Sequence, residues 1–360
     1  MDTVLEAYSF PETLLGVARY GQGHINDTYC VVCQPQEGGR IRFILQGLST
    51  AAFPMPEELM ENMVGITSYL REKIIENGGD TKRETLNLVK TKDGKAFFKD
   101  SFGKVWRLTH FVEGTDCFKS ATPELFEASA RAFGRFQYML QGYPAETLHE
   151  TIAKFHDTED RLRKLKAAIN GGPLIRVAKC KAEIDFVLAR EKDCSVALQA
   201  LREGKLPLRV THNDTKLNNI LIDRATGEGI CVIDLDTTMP GFVLSDFGDF
   251  IRTSANTGAE DDPDLDRIDV NMDIFRSFAK GYIESTAAFL TPIERQLLPY
   301  GALLLTYMQT VRFLTDYLDG DHYYKIKHPE HNWQRSEAQF RLLQRLEAKE
   351  QEMNDYIASL

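Results

Sequence analysis

Strand-like and helix-like patterns are unevenly divided along this chain, and that division constrains its fold most tightly. Six β-rich runs crowd into the first 112 residues, at 14–20, 26–33, 41–47, 86–91, 95–99 and 105–111. Turn chemistry at Lys92-Asp93-Gly94 and Ser101-Phe102-Gly103 predicts that the last three form a meander. One helix interrupts the strands, over 57–77. Pro56 precedes it, Leu59, Met63, Ile66, Leu70 and Ile74 recur at helical spacing, and Gly78-Gly79 stops it. Beyond Gly114 the pattern turns helical. Thr122-Pro123 opens one helix, and others are expected over 157–169, 181–202 and 270–287. A capping-box spacing at Thr291–Glu294 opens a helix expected to reach Leu318, closed by Gly320, and a charged helix follows over 335–357. A single β interruption lies in that half: apolar runs at 219–222 and 230–234 read as a hairpin. The expectation is an α+β chain of two domains, 1–112 and 113–360.

A length of 360 residues exceeds what one core usually serves, which agrees with two domains. The net charge of -10 argues against a nucleic-acid partner. The amino terminus has no basic, apolar leader pattern, and no run approaches the roughly 18 apolar residues of a membrane span. Six scattered cysteines suit a reducing compartment, so a cytoplasmic location without a membrane or inferred protein partner is expected. Cys30 and Cys33 are three apart on an expected strand, so they face opposite sides and do not form a metal pair.

The chemistry is concentrated in Thr211-His212-Asn213-Asp214-Thr215-Lys216-Leu217-Asn218-Asn219. This is an H-x-D-x-x-x-x-N pattern. Phosphoryl transfer needs a carboxylate to take or orient a hydroxyl proton, oxygen ligands for a metal, and cations to offset phosphate charge. Asp214 supplies the carboxylate, Lys216 the cation and Asn219 one oxygen donor for Mg²⁺. The second metal donor is expected at the end of the next apolar strand, and Asp234 stands there. Asp246-Phe247-Gly248 reproduces a triplet known from protein kinases but ends no apolar strand. Asp246 and Asp249 are therefore expected to brace the loop by accepting backbone hydrogen bonds, or to cap a helix. Tyr20–Asn26 is a glycine-rich turn between strands, where Gly21 and Gly23 let backbone N–H groups approach phosphate.

These segments, THNDTKLNNILID, VIDLDTTMPG and DFGDFIR, resemble the aminoglycoside-phosphotransferase-like superfamily of small-molecule kinases. Within it, the early GxGHINxTY and RFILQ segments, ETIAKFHDT, RFLTDYLDGDHYY and KHPEHN resemble the bacterial N-acetylhexosamine 1-kinases. The resemblance implies a protein-kinase-like bilobal fold: a small antiparallel β lobe with one helix, and a larger, mainly helical lobe. It implies ATP and Mg²⁺ as cosubstrate and cofactor, with the C1 hydroxyl of an N-acetylhexosamine as acceptor. Gly21, Gly23, Asn26, Thr28, Gln46, Phe111 and Val112 would then line the nucleotide, with 111–113 as the adenine hinge. His24, Arg312 and Tyr323 would join Asp214 at the sugar. From the residues alone, Arg312 reads equally as an ion-pair partner of Asp316, and Tyr323 as core packing. One departure stands out. The third strand carries Gln46 where the kinase fold places a phosphate-pairing lysine, so either the amide serves or a cation such as Arg42 substitutes. Glu57, Glu58 and Glu61 are the candidate helix carboxylates. Other acceptors (an aminoglycoside, choline, homoserine or a methylthio-sugar) and a nucleotide-binding pseudokinase stay open. The acidic run Glu260-Asp261-Asp262-Pro263-Asp264 bears on the first of these, because a polycation calls for carboxylates.

Overall fold

The computed structural model of the chain describes residues 1–10, 13–21, 25–120 and 122–360. Two units emerge, neither continuous in sequence: 1–117 with 142–153 and 220–239, and 118–141 with 154–219 and 240–360.

The first unit holds β1 (Thr13–Arg19), β2 (Asp27–Gln34), β3 (Ile41–Gly47), helix α1 (Pro56–Glu76), β4 (Leu88–Val89), β5 (Phe98–Lys99) and β6 (Val105–His110). The sheet runs β1-β2-β3-β6, all antiparallel, with β4 and β5 both on β6. The expected meander does not form. β4 meets Leu108 and Thr109, and β5 meets Val105 and Trp106, so the two follow one another along β6. The reason lies in the turn between them. Thr91 donates its amide to Lys95 O at 2.9 Å, so the reversal forms, but Thr91 also bridges to Tyr8, and on either side of the turn the chain pairs with β6.

Alternation along these strands divides the sheet. Val31, Phe43, Leu45 and Leu108 face one core with Val4, Leu5 and Tyr8. Thr28, Gln46 and Arg107 are register partners on adjacent strands, so their side chains form one lateral row. The apolar stripe of α1, through Leu59, Met60 and Met63, packs with Leu48, Phe53 and Val105. Each such fully buried side chain contributes about 1.5–3 kcal/mol relative to exposure. β6 is buried on both sides for this reason, and only His110 at its end is exposed. A second sheet joins β7 (Thr115–Asp116), β8 (Ile220–Asp223) and β9 (Gly229–Val232) in the order β9-β8-β7. The expected hairpin is present as β8–β9. Its third strand, two polar residues long, gives no pattern that sequence could reveal.

The second unit is helical: α2 (Pro123–Met139), α3 (Thr158–Gly171), α4 (Val243–Ser254), α5 (Met272–Thr286), α6 (Leu298–Asp319) and α7 (His331–Ser359) are its principal helices. The helix expected over 181–202 is broken into Lys181–Ala189 and Val196–Arg202 by a 3₁₀ turn, Asp193–Ser195. Tyr300 donates its hydroxyl to Asp193 O at 2.6 Å and Thr158 donates to Cys194 O at 2.8 Å, which takes those carbonyls out of the helix ladder. The capping box at Thr291 forms, with Glu294 accepting from the Thr291 amide. The helix it opens stops after Gln296, and Pro299, lacking an N–H, lies in the first turn of α6. Gly320, at φ 105°, closes α6 as expected. α4 crosses α6 with backbone against backbone: a Cβ on Gly248 would meet Gly301 O at 2.2 Å, and one on Gly301 would meet Leu244 O at 2.0 Å. Two glycines thus seat α4, which carries Asp246. Among the described residues, no helix is long and apolar enough to cross a membrane.

Candidate active site

In the second unit, the loop after the short strand Arg209–Thr211 is built around Asp246. That carboxylate is buried in α4 and accepts the amides of His212 at 2.9 Å and Asn213 at 2.7 Å, and the side-chain amide of Gln137. Its own carbonyl accepts the Thr215 hydroxyl at 2.5 Å. Burial pushes the Asp246 carboxyl above its ordinary value, against the pull of His212 and of the donated amides. The bracing role expected of Asp246 is met. Asp249 is engaged otherwise: it accepts Arg252 at 2.8 and 3.0 Å. Asn213 adopts φ 62°, a conformation that asparagine tolerates, and ties its side chain back to Thr211. His212 is fully buried, edge-on to Phe133 and Phe136 at 5.7 and 6.2 Å. Its Nδ1 accepts the Asp214 amide at 3.3 Å.

Asp214 leaves this scaffold with its carboxylate 32% exposed. Oδ2 accepts Lys216 Nζ at 2.7 Å and Asn219 Nδ2 at 3.1 Å. Burial would raise its pKa, but the Lys216 ammonium prevails and holds the carboxyl below its ordinary value. It is therefore ionised and available as a proton acceptor. Asn219 Nδ2 also donates to Asp214 O at 2.8 Å. With its nitrogen so committed, Asn219 turns its oxygen away from Asp214, the orientation a metal donor needs. Among the described residues no three His, Cys, Asp or Glu side chains gather as a cage. Mg²⁺ commonly needs only one or two protein oxygens beside phosphate and water, so the donor chemistry fits.

A second cluster in this unit surrounds Arg312. Asp316 is not its partner: that carboxylate accepts the amides of Tyr323 at 2.8 Å and Tyr324 at 2.9 Å. Arg312 donates instead to Gln309 at 3.0 Å and lies 5.2, 5.9 and 5.5 Å from the rings of Phe155, Tyr323 and Tyr324. Tyr323 is 65% exposed, so core packing does not describe it. His156 stacks on Phe155 at 4.6 Å, and burial, with Arg312 and Arg161 nearby, holds its pKa down to about 3. Its side chain hydrogen-bonds Asn213, next to Asp214. His156 Nδ1 and Arg161 Nε are buried without a hydrogen-bond partner among the described residues. Periodicity could not single out these two residues; the only signal was the FHD triplet that contains His156.

In the first unit, Arg107 is 1% exposed and Asp236 2%. Arg107 Nη1 donates to Asp236 Oδ1 at 2.5 Å, while Nε and Nη2 donate to Gln46 Oε1 at 3.0 and 2.9 Å. Asn26 donates to the other Asp236 oxygen at 2.6 Å and accepts the Ser49 amide at 3.0 Å. Gln46 donates to Thr28 Oγ1 at 3.3 Å. Three of the nucleotide residues expected from sequence, Asn26, Thr28 and Gln46, thus share one network. Its cation is Arg107, not Arg42, which pairs with Glu113 at 2.9 Å and covers the Phe111 ring at 3.8 Å. Sequence reasoning missed both Arg107 and Asp236. The candidate helix carboxylates are engaged elsewhere, Glu57 with Lys99 at 2.8 Å and Glu61 with His149 at 2.8 Å, while Glu58 lies 3.9 Å from the His149 ring. Phe111 donates its amide to Arg42 O at 3.0 Å, and Val112 O accepts the Thr115 hydroxyl at 2.8 Å. Gly21 has φ 75°, while Gly23 and His24 lie outside the described residues. Asp234 stands two residues beyond β9, at φ 60° and ψ 53°, before the 3₁₀ turn Leu235–Thr237. That left-handed conformation is uncommon for aspartate, and such backbone concentrates at functional sites.

The model of a family described as the phosphotransferase enzyme family, APH, matches residues 91–276. Among solved structures, the chain is similar to an aminoglycoside phosphotransferase from Alicyclobacillus acidocaldarius, at 15% identity and a TM-score of 0.61, covering 100% of this chain and 97% of that one. It is similar to a microcompartment-associated aminopropanol kinase at 17% identity and a TM-score of 0.63, covering 98% and 97%. An amicoumacin kinase in complex with AMP-PNP and Ca²⁺ matches at 14% identity and a TM-score of 0.55, covering 98% and 91%. These likenesses establish the fold: an antiparallel-sheet lobe and a helical lobe, as in protein-kinase-like enzymes.

Proposed function

The chain belongs to the phosphotransferase enzyme family, and from that premise we propose that it is an ATP- and Mg²⁺-dependent kinase acting on the anomeric hydroxyl of an N-acetylhexosamine. The observation that carries the kinase reading is Asp214, ionised between Lys216 and Asn219 on a loop fixed by Asp246. Asp214 accepts the acceptor hydroxyl's proton as its oxygen bonds to the γ-phosphorus and the bridging oxygen departs with ADP. In a loose transition state the nucleophile gains little charge, so positioning outweighs basicity. Lys216 turns toward the transferring phosphoryl group. Asn219 would give Mg²⁺ one oxygen donor and Asp234 is proposed as another; the ion would supply charge neutralisation at the phosphates.

Charge around the loop supports an uncharged acceptor. Arg312, Arg161 and a neutral His156 present no carboxylate to a polycation. The acidic run that would favour an aminoglycoside is already engaged: Glu260 with Arg252 at 2.9 Å, Asp261 with Lys327 at 2.8 Å and His331 at 2.9 Å. Arg312 and Tyr323 are the proposed grip on the sugar, an arginine for its hydroxyl or acetyl oxygens and an exposed ring for its apolar face. The test is ADP release across N-acetylglucosamine, N-acetylgalactosamine, an aminoglycoside, choline and homoserine, followed by NMR of the product. Phosphorus coupling at C1 is the expected result. Turnover of an amino alcohol without turnover of either sugar overturns the acceptor and keeps the kinase. Loss of the Mg²⁺ response in Asp246→Ala but not in Asp234→Ala would move the metal role from Asp234 to Asp246.

A further inference from the structure

An amide at position 46 has no charge with which to replace a lysine, but it has polarity, and Arg107 fixes that polarity. Two guanidinium N–H groups converge on Gln46 Oε1, at 3.0 and 2.9 Å, and fill both of its acceptor positions. The guanidinium itself cannot turn, because Nη1 is held on Asp236 at 2.5 Å and that carboxylate is held in turn by Asn26 at 2.6 Å. Carboxamides are free to flip when neither end is committed; this one is committed. What Gln46 shows outward is its NH₂ group alone. One N–H meets Thr28 Oγ1 at 3.3 Å, and because the threonine oxygen accepts there, its own proton points elsewhere. Gln46 and Thr28 are half-buried register partners on adjacent strands. Together they present the Gln46 N–H and the Thr28 O–H as donors, with both acceptor positions of the Gln46 oxygen already filled, which is suited to an oxyanion.

We infer that Arg107 is a positioning residue for nucleotide phosphate: anchored on Asp236, it orients the Gln46 amide so that Gln46 and Thr28 donate to a phosphate oxygen. This rests on the kinase reading above. It explains how the strand can dispense with lysine. The cation has moved one strand over and behind the amide, and it acts through the amide rather than by contact. Placing a lysine at position 46 would orphan two Arg107 donors and set two cations side by side.

The decisive variant is Gln46→Glu, which preserves both Arg107 hydrogen bonds as an ion pair but turns the donor patch into a carboxylate. Calorimetric titration with Mg·ADP should show affinity weakened on the order of 10²-fold, with no fall in melting temperature. Arg107→Lys retains the charge but not the paired donors, so Mg·ADP affinity should fall about tenfold while the acceptor KM holds. In a Gln46→Ala background the same Arg107→Lys change should cost no further affinity, because its route runs through the amide. A Gln46→Glu protein that binds Mg·ADP within about twofold of wild type overturns the inference. So does an Arg107→Lys effect of equal size in the Gln46→Ala background. Wild-type protein that takes up no Mg·ADP removes the kinase reading, and the inference with it.

Discussion

Asp214 and Asp236 have the same kind of company: each carboxylate accepts one cation and one asparagine amide. The resemblance ends there. The partners of Asp214 are two and five residues away in sequence, and the carboxylate is 32% exposed. Those of Asp236 are 129 and 210 residues away, and it is 2% exposed. Local partners hold a carboxylate without enclosing it, so it stays reactive. Distant partners can meet only when strands pack, and packing excludes water. The first arrangement serves chemistry, and the second serves shape.

Removing the charge at each site should break the two in different currencies. Asp214→Asn should lower kcat by about 10²–10⁴, the usual scale for an acid–base group, with nucleotide binding and melting temperature nearly unchanged. Retained turnover would end the assignment. Arg107→Met, which strands the Asp236 carboxylate in a dry site, should cost about 3–5 kcal/mol of stability by chemical denaturation. A loss in rate without a loss in stability there would erase the distinction. Asp246→Asn should fall between the two. It retains one acceptor but sets an NH₂ against a donated amide, at about 1–3 kcal/mol. Its kcat should fall as well, because the loop carrying Asp214 loosens.

The smallest effect is in acid. His156 is held at about 3, below its ordinary value, so the unfolded chain binds this proton first as pH falls. Stability is full above the unfolded pKa of about 6.5 and declines below it by at most about 1.4 kcal/mol per pH unit. Denaturation midpoints of His156→Gln between pH 7 and 4.5 should therefore fall less steeply than those of the wild type. Parallel slopes would show that this imidazole is not the buried base described.

The same contrast explains what could be read from sequence. The trio Asp214, Lys216 and Asn219 was legible because all three stand in one short stretch, and so was the hairpin that follows; the anchor of their loop, Asp246, lies more than thirty residues on. β3 was legible residue for residue, because Phe43, Leu45 and Gly47 alternate against Arg42, Ile44 and Gln46. Arg107 gave no signal. A basic residue in a run of Val105, Trp106 and Leu108 looks like the polar side of an edge strand until β3, β4 and β5 are seen to flank it. The break at Asp193–Ser195 was hidden for a similar reason: the hydroxyls that take its carbonyls come from Thr158 and Tyr300. The meander failed because turn residues specify a reversal, not which strand the chain pairs with next.

The order in which the chain is made gives the Arg107–Asp236 pair one more consequence. The counter-ion lies 129 residues downstream, so at about 5–20 residues per second a ribosome needs roughly 6–26 s to supply it. Throughout that interval the nascent sheet holds a guanidinium it cannot bury. Residues 220–239 belong to the same unit as the amino-terminal sheet, which should therefore close only after they are made. A nascent chain arrested at residue 117 should remain open to protease, although every strand of its main sheet has already been synthesised.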